Sequence, residues 1–215
     1  MKSLQIENLA LSAGNFKLKN ISFHIEQDEY FVLKGLTGSG KSLIMKAICG
    51  LIRLDSGKIL IDGKDVTNLQ PRFRKVGYIP QNSLLFPHLN VEENIAFGLK
   101  FKDFSKNKIT EEVDKITELV GISQLLNRNV LNLSGGEKQK VNICRALILK
   151  PKILLLDEPL SAVDEGHRDK LCSILKSLQK KTKIPAMHIS HNKKETELIA
   201  DRISILENGK IKGVL

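Results

Sequence analysis

Apolar and polar positions alternate in short β-like runs through the first part of this chain, and such runs return after residue 150 between stretches of helical spacing. The N-terminal MKSLQIE has the alternation of a half-buried strand. The clearest further strands are residues 30–34, 76–79, 153–157, 186–190 and 203–207. Residues 153–156 are wholly apolar, which predicts a central strand covered on both faces. Residues 58–64 read as a strand running into a turn at Asp62-Gly63. Between Val91 and Lys150 the period changes. Val113, Ile116, Leu119 and Val120 keep helical spacing, as do Val141, Cys144, Leu147 and Ile148.

Strands alternating with helices predict an α/β fold with a largely parallel sheet. No repeat, low-complexity tract or linker divides the chain, so one domain is expected. Its core would comprise residues 1–83 and 150–215, interrupted by a helix-rich subdomain at 84–149.

Composition narrows the class of protein. Hydrophobic residues at 41% and charged residues at 27% describe an ordinary globular chain. No apolar run approaches the roughly 20 residues needed to cross a bilayer, and the N-terminus lacks the apolar stretch of a signal peptide. A cytoplasmic protein is therefore expected, one that serves a membrane, if at all, from its inner face. Cys49, Cys144 and Cys172 form no CxxC pair and lie in apolar helical patterns, so they read as buried core thiols. The net charge of +10 comes mostly from dispersed lysines. It fits a solvated surface, nucleic-acid binding, or attraction to a nucleotide or an anionic membrane, and alone it chooses none of them.

The sharpest motif is Gly35-Leu36-Thr37-Gly38-Ser39-Gly40-Lys41-Ser42, which fits G-x-x-x-x-G-K-[ST] between a strand and a helix. Its glycines allow a tight turn whose N–H groups face phosphate oxygens, and the following helix adds a favourable dipole. Lys41 should reach the β- and γ-phosphates of a bound nucleotide, and Ser42 should ligate Mg²⁺. Asp157 and Glu158 stand at the C-terminal end of the apolar strand, where open α/β sheets bind ligands. Asp157 is placed to hold the Mg²⁺ and Glu158 to polarise the attacking water. Gln81 and His191 each follow a strand end; the first could contact metal and water, the second the γ-phosphate. His188, inside its strand, reads as a core histidine. Ser134-Gly135-Gly136-Glu137 opens a helix running to Leu149, and a hydroxyl, approachable N–H groups and a helix dipole make it a second anion site or a simple helix cap.

In order and spacing, the phosphate loop, Gln81, the Leu133–Glu137 run, Asp157-Glu158, Ser161-Ala162-Val163-Asp164 and His191 resemble the ATPase subunits of ABC transporters over nearly the whole chain. That resemblance implies a P-loop NTPase with a parallel-sheet core, an N-terminal antiparallel β part and a helical subdomain. It implies a head-to-tail homodimer in which Ser134, Gly135, Gly136 and Glu137 of one copy close over the γ-phosphate held by Lys41 of the other, with Asp164 at the dimer interface. The run Phe86-Pro87-His88-Leu89-Asn90-Val91-Glu92-Glu93-Asn94-Ile95 looks like the importer branch. There, the region after Gln81 meets a transmembrane permease subunit, and a solute-binding protein acts indirectly. Within that branch, residues 14–18 and 157–164 are most similar to molybdate/tungstate importer ATPases, with sulfate and polyamine importers as alternatives.

The sequence also departs from the family pattern. Phe16 is the one aromatic available to stack on adenine, and it equally fits an inward strand position. Asp28 stands where many relatives have glycine, and Asn192 where aspartate is common. The end at Leu215 leaves out the C-terminal regulatory domain many importer ATPases carry, so inhibition through such a domain is not expected. A soluble ABC ATPase acting on nucleic acid or ribosomes is the rival from another class. It is disfavoured by a single cassette without heptads, and no nucleic-acid partner is expected.

Overall fold

Two sheets share the β-strands of a computed structural model that describes residues 1–82, 84–161, 163–207 and 209–214, the side chains of 213 and 214 excepted. Ala162 of the 161–164 run and the terminal Leu215 lie outside the described residues.

The first sheet is antiparallel. It contains β1 (Lys2–Ala13), β2 (Phe16–Glu26), β4 (Ser56–Ile61) and β5 (Lys64–Asp65), in the order β2-β1-β4-β5. Ala13 pairs with Phe16 across a two-residue turn whose Gly14 has φ +59°, and this fixes Phe16 at the very start of β2.

The second sheet runs β10-β9-β3-β8-β7-β6, formed by β3 (Tyr30–Gly35), β6 (Val76–Ile79), β7 (Ile153–Asp157), β8 (Ala186–Ile189), β9 (Arg202–Glu207) and β10 (Lys210–Val214). Only the β9/β10 pair is antiparallel; β6, β7, β8, β3 and β9 are mutually parallel.

The described residues also hold six α-helices: α1 (Lys41–Cys49), α2 (Val91–Ala96), α3 (Lys106–Val120), α4 (Gly135–Leu147), α5 (Glu165–Thr182) and α6 (Lys193–Ile199). The helix expected to reach Leu149 ends two residues earlier. Its last turn closes when Ile148 N–H donates to Cys144 O and Lys150 N–H to Leu147 O, although apolar spacing continues through Leu149. Asp28 has φ +58°, a region that favours glycine and that aspartate is among the few other residues to enter readily.

The central strands are apolar on both faces because each face has its own core. Tyr30, Val32, Leu154 and Leu156 point into one cluster with α3, α4 and α5, while Phe31, Leu33, Ile153, Leu155, Met187 and Ile189 point into another with α1 and the first sheet. Cys49, Cys144 and Cys172 are buried and free, as their apolar settings predict.

Candidate functional site

Parallel strands that share a direction also share an edge. The C-terminal ends of β3, β6, β7 and β8 lie side by side through the pairs Leu33↔Ile189, Asp157↔Ile189 and Ile79↔Leu156. The residues after those ends therefore converge: the phosphate loop from β3, Gln81 from β6, Asp157 and Glu158 from β7, and His191 from β8.

In the phosphate loop Leu36, Thr37 and Gly38 form an exposed tip, Ser39 and Gly40 are half-buried, and Lys41 begins α1. Gly40 caps that helix at φ +100°, and a Cβ there would lie 2.8 Å from Phe16 Cε1 and 2.9 Å from Leu18 Cδ1. Only glycine fits beneath that ring. Gly35 is as confined, since a Cβ would stand 2.4 Å from Leu206 O. The contact at Gly40 places Phe16 against the loop itself.

Lys41 is 5% exposed. Its Nζ donates to Gly35 O at 2.9 Å and to Leu36 O at 2.8 Å. Burial pulls its pKa below the usual lysine value, against the opposing pull of Glu158 and Asp157. Next to it, the Ser42 hydroxyl donates to Asp157 Oδ1 at 2.9 Å, and the Tyr78 phenol donates to Oδ2 at 3.2 Å. Burial, and then the Asp157 charge, pushes the Tyr78 phenol well up, so it remains a donor.

Glu158 ends β7 abruptly at φ +48°, its N–H donating to Ile189 O at 3.1 Å. That backbone turn throws the carboxylate sideways between two neighbours. Gln81 Nε2 donates to Oε2 at 3.0 Å, and His191 Nε2 stands 2.7 Å from Oε1.

The oxygen chemistry fits a hard divalent cation. A hydroxyl and a carboxylate meet at Ser42 and Asp157, but among the described residues no group of three or more His, Cys, Asp or Glu side chains could hold a metal. Such a pair suits Mg²⁺ arriving with phosphate oxygens, not a cage made wholly of protein.

The Ser134–Glu137 segment is elsewhere. Ser134 caps α4: its Oγ accepts from Glu137 N–H at 3.3 Å while Glu137 Oε2 accepts from Ser134 N–H at 2.8 Å. That backbone bond holds the Glu137 carboxyl below its usual pKa. Ser134 and Gly135 are exposed, Gly136 is half-buried, and among the described residues no hydrogen bond or ion pair joins the segment to the chain's own phosphate loop. Asp164 is likewise exposed, at the start of α5, with no capping bond. Tyr78 is the site residue that sequence reasoning missed, because an aromatic in a strand reads as packing. Its one available signal was its place two residues before Pro80.

The ABC transporter family model matches residues 18–161. The chain is 48% identical over 97% of its length to the molybdate/tungstate import ATP-binding protein of Methanocaldococcus jannaschii, 69% of which it covers. It is 40% identical over 97% of its length to the protein of that name from Pyrococcus horikoshii, of which it spans only 60%. To the spermidine/putrescine import ATP-binding protein of Thermotoga maritima it is 39% identical over 97% of its length, covering 57% of that protein. Among solved structures, a nucleotide-free ATP-binding cassette from an ABC transporter superposes with TM-score 0.87 at 27% identity, over 100% of this chain and 92% of that one. A dimeric ATP-binding cassette in a post-hydrolysis state, bound to ADP and Pi, superposes with TM-score 0.84 at 25% identity, over 99% of both chains. The chain belongs to the ABC transporter family, as an ATP-binding cassette.

Proposed function

We propose that this chain is the ATP-hydrolysing motor subunit of an importer, working as a head-to-tail homodimer on the cytoplasmic face of the membrane. The observation that carries the reading is Glu158, fixed between Gln81 and His191, with its charge acting on the Lys41 ammonium. Lys41 and the loop N–H groups bind the phosphates; Phe16, packed on Gly40, is the candidate platform for adenine. Ser42 and Asp157, with Gln81 as a further oxygen donor, would hold Mg²⁺, which when bound supplies positive charge against the phosphates. Glu158 takes a proton from water as its oxygen attacks the γ-phosphorus and the bond to the leaving ADP oxygen breaks. His191 orients Glu158 and is the candidate hydrogen-bond donor to the γ-phosphate. No helix among the described residues is long and apolar enough to cross a membrane, in keeping with a motor that pushes on separate permease subunits.

The self-capped Ser134–Glu137 segment, with Ser134 and Gly135 exposed, supports a site completed by a second copy. The helices of residues 84–149 would form the subdomain that carries it across. The cargo proposed is an oxyanion, molybdate or tungstate, on the 48% identity to the M. jannaschii protein. A polyamine is the second reading, on the 39% identity to the T. maritima protein. Purification with the permease subunits, followed by ATPase assays in a reconstituted complex, tests both. Stimulation by molybdate or tungstate with the solute-binding protein supports the first reading, stimulation by spermidine the second, and no ATPase activity would overturn the motor.

A further inference from the structure

His191 sits on a three-residue connection between β8 and α6, so the elements on either side set where its backbone stands. Two buried polar side chains bridge that connection. His188, on β8, is 0% exposed, and Glu195, in the first turn of α6, is 5% exposed. Nε2 of His188 lies 2.8 Å from Glu195 Oε1, at ion-pair distance but without a directed hydrogen bond from the ring nitrogen. On the other side of the ring, Nδ1 is 2.9 Å from the Tyr30 hydroxyl, on β3, the strand that feeds the phosphate loop. The connection is bound to itself as well: Asn192 Oδ1 accepts from Glu195 N–H at 3.0 Å, and Asn192 N–H donates to Ser190 Oγ at 3.1 Å.

Apolar side chains of similar volume would fill this part of the core at least as stably, because a buried imidazole–carboxylate pair carries a desolvation cost. What the pair adds is a fixed relation between the end of β8 and the start of α6, with the phosphate-loop strand as its third anchor. We propose that His188 and Glu195 are positioning residues for His191, clamping the β8–α6 connection so that the His191 ring stays against Glu158. This rests on the reading of the site as an ATPase. Neither residue touches the reacting atoms.

The test replaces the pair by apolar side chains, His188→Phe with Glu195→Leu, in the full chain and in a His191→Ala background. A folded double variant with unchanged melting temperature should lose about tenfold in kcat, with KM for ATP held within about twofold and no further loss when His191 is already absent. Should the double variant not fold, Glu195→Gln keeps length and removes charge, and a kcat loss of about threefold at unchanged KM is expected. Wild-type kcat in a folded variant, or an equal loss with and without His191, overturns the proposal. The His191 imidazole NMR signal, recorded without nucleotide, is the independent readout. It should shift in either variant, and an unmoved signal also overturns the proposal. A wild-type chain with no turnover would sink the ATPase reading instead and leave the NMR result to decide the positioning.

Discussion

Glu158 Oε1 and His191 Nε2 face each other at 2.7 Å across the gap between the ends of β7 and β8. With Gln81 on the other oxygen, the carboxylate has little freedom to rotate, so its loss is a chemical change more than a packing change. Glu158→Gln should bind ATP normally, lose about a hundredfold or more in turnover, and accumulate as a dimer with ATP. Nucleotide binding, steady-state ATPase and size-exclusion chromatography measure the three. Turnover at the wild-type rate would remove Glu158 from its role.

Phe16 has two jobs to separate, since its ring covers Gly40 and is also the candidate adenine platform. Phe16→Leu keeps apolar bulk over the loop and removes the aromatic face. Its melting temperature should stay near wild type while ATP affinity falls by about fivefold, the size of one lost stacking contact. Equal affinity in a fluorescent-nucleotide titration would show that the base stacks elsewhere.

The thiols offer a test of the cores. Burial pushes Cys49 and Cys172 up to about 12 and Cys144 higher still, from an ordinary value of 9.0. At pH 8 the native chain should react with a thiol reagent far more slowly than the urea-unfolded chain, which should label at all three cysteines. The sign for stability follows from the raised values. These thiols favour the folded state fully below about pH 9, and that contribution is lost as pH rises from there towards 12. Urea midpoints at pH 8 and pH 10.5 should show the fall.

Arg74 is 5% exposed, and among the described residues its guanidinium donates only to backbone carbonyls: Nη1 to Ala47 O and Ile48 O at 2.8 and 3.1 Å, Nε to Leu69 O at 2.8 Å, and Nη2 to Thr67 O at 2.6 Å. Two of those carbonyls end α1, the helix that the phosphate loop opens. Arg74→Met fills the space and removes the donor from the Ile48, Leu69 and Thr67 carbonyls, while Ala47 O keeps the Gly50 N–H, so a loss of about 3 kcal/mol is expected. Equilibrium urea unfolding measures it, and a loss under about 1 kcal/mol would mean water replaces the guanidinium.

How much of this was written in the sequence varies with the physics behind each feature. The strands at Val76–Ile79 and Ile153–Asp157 were legible to the residue, because each run is too short for a helix and is closed by a proline, Pro80 or Pro159, shortly after it. The phosphate loop and the strand-end positions of Gln81, Glu158 and His191 were legible because their chemistry is local. Partnerships across the chain were not. Tyr78 and Asp157 are 79 residues apart, and nothing in either neighbourhood marks the bond between them. Arg74 reads as a surface residue of the Pro71–Phe73 turn until the fold closes over it. His188 was legible as a core residue, but its contact with Glu195 depends on how α6 turns back on β8.

The left-handed backbone at Glu158 has a consequence for how that position tolerates change. A non-glycine residue held at φ +48° gives up about 1–2 kcal/mol that glycine would not, and asparagine gives up less than glutamate. Backbone and chemistry thus make opposite demands on one position. In a library randomised at residue 158 and sorted by thermal stability alone, glycine and asparagine should be enriched over the native residue. Sorted by ATP turnover, the same library should return glutamate.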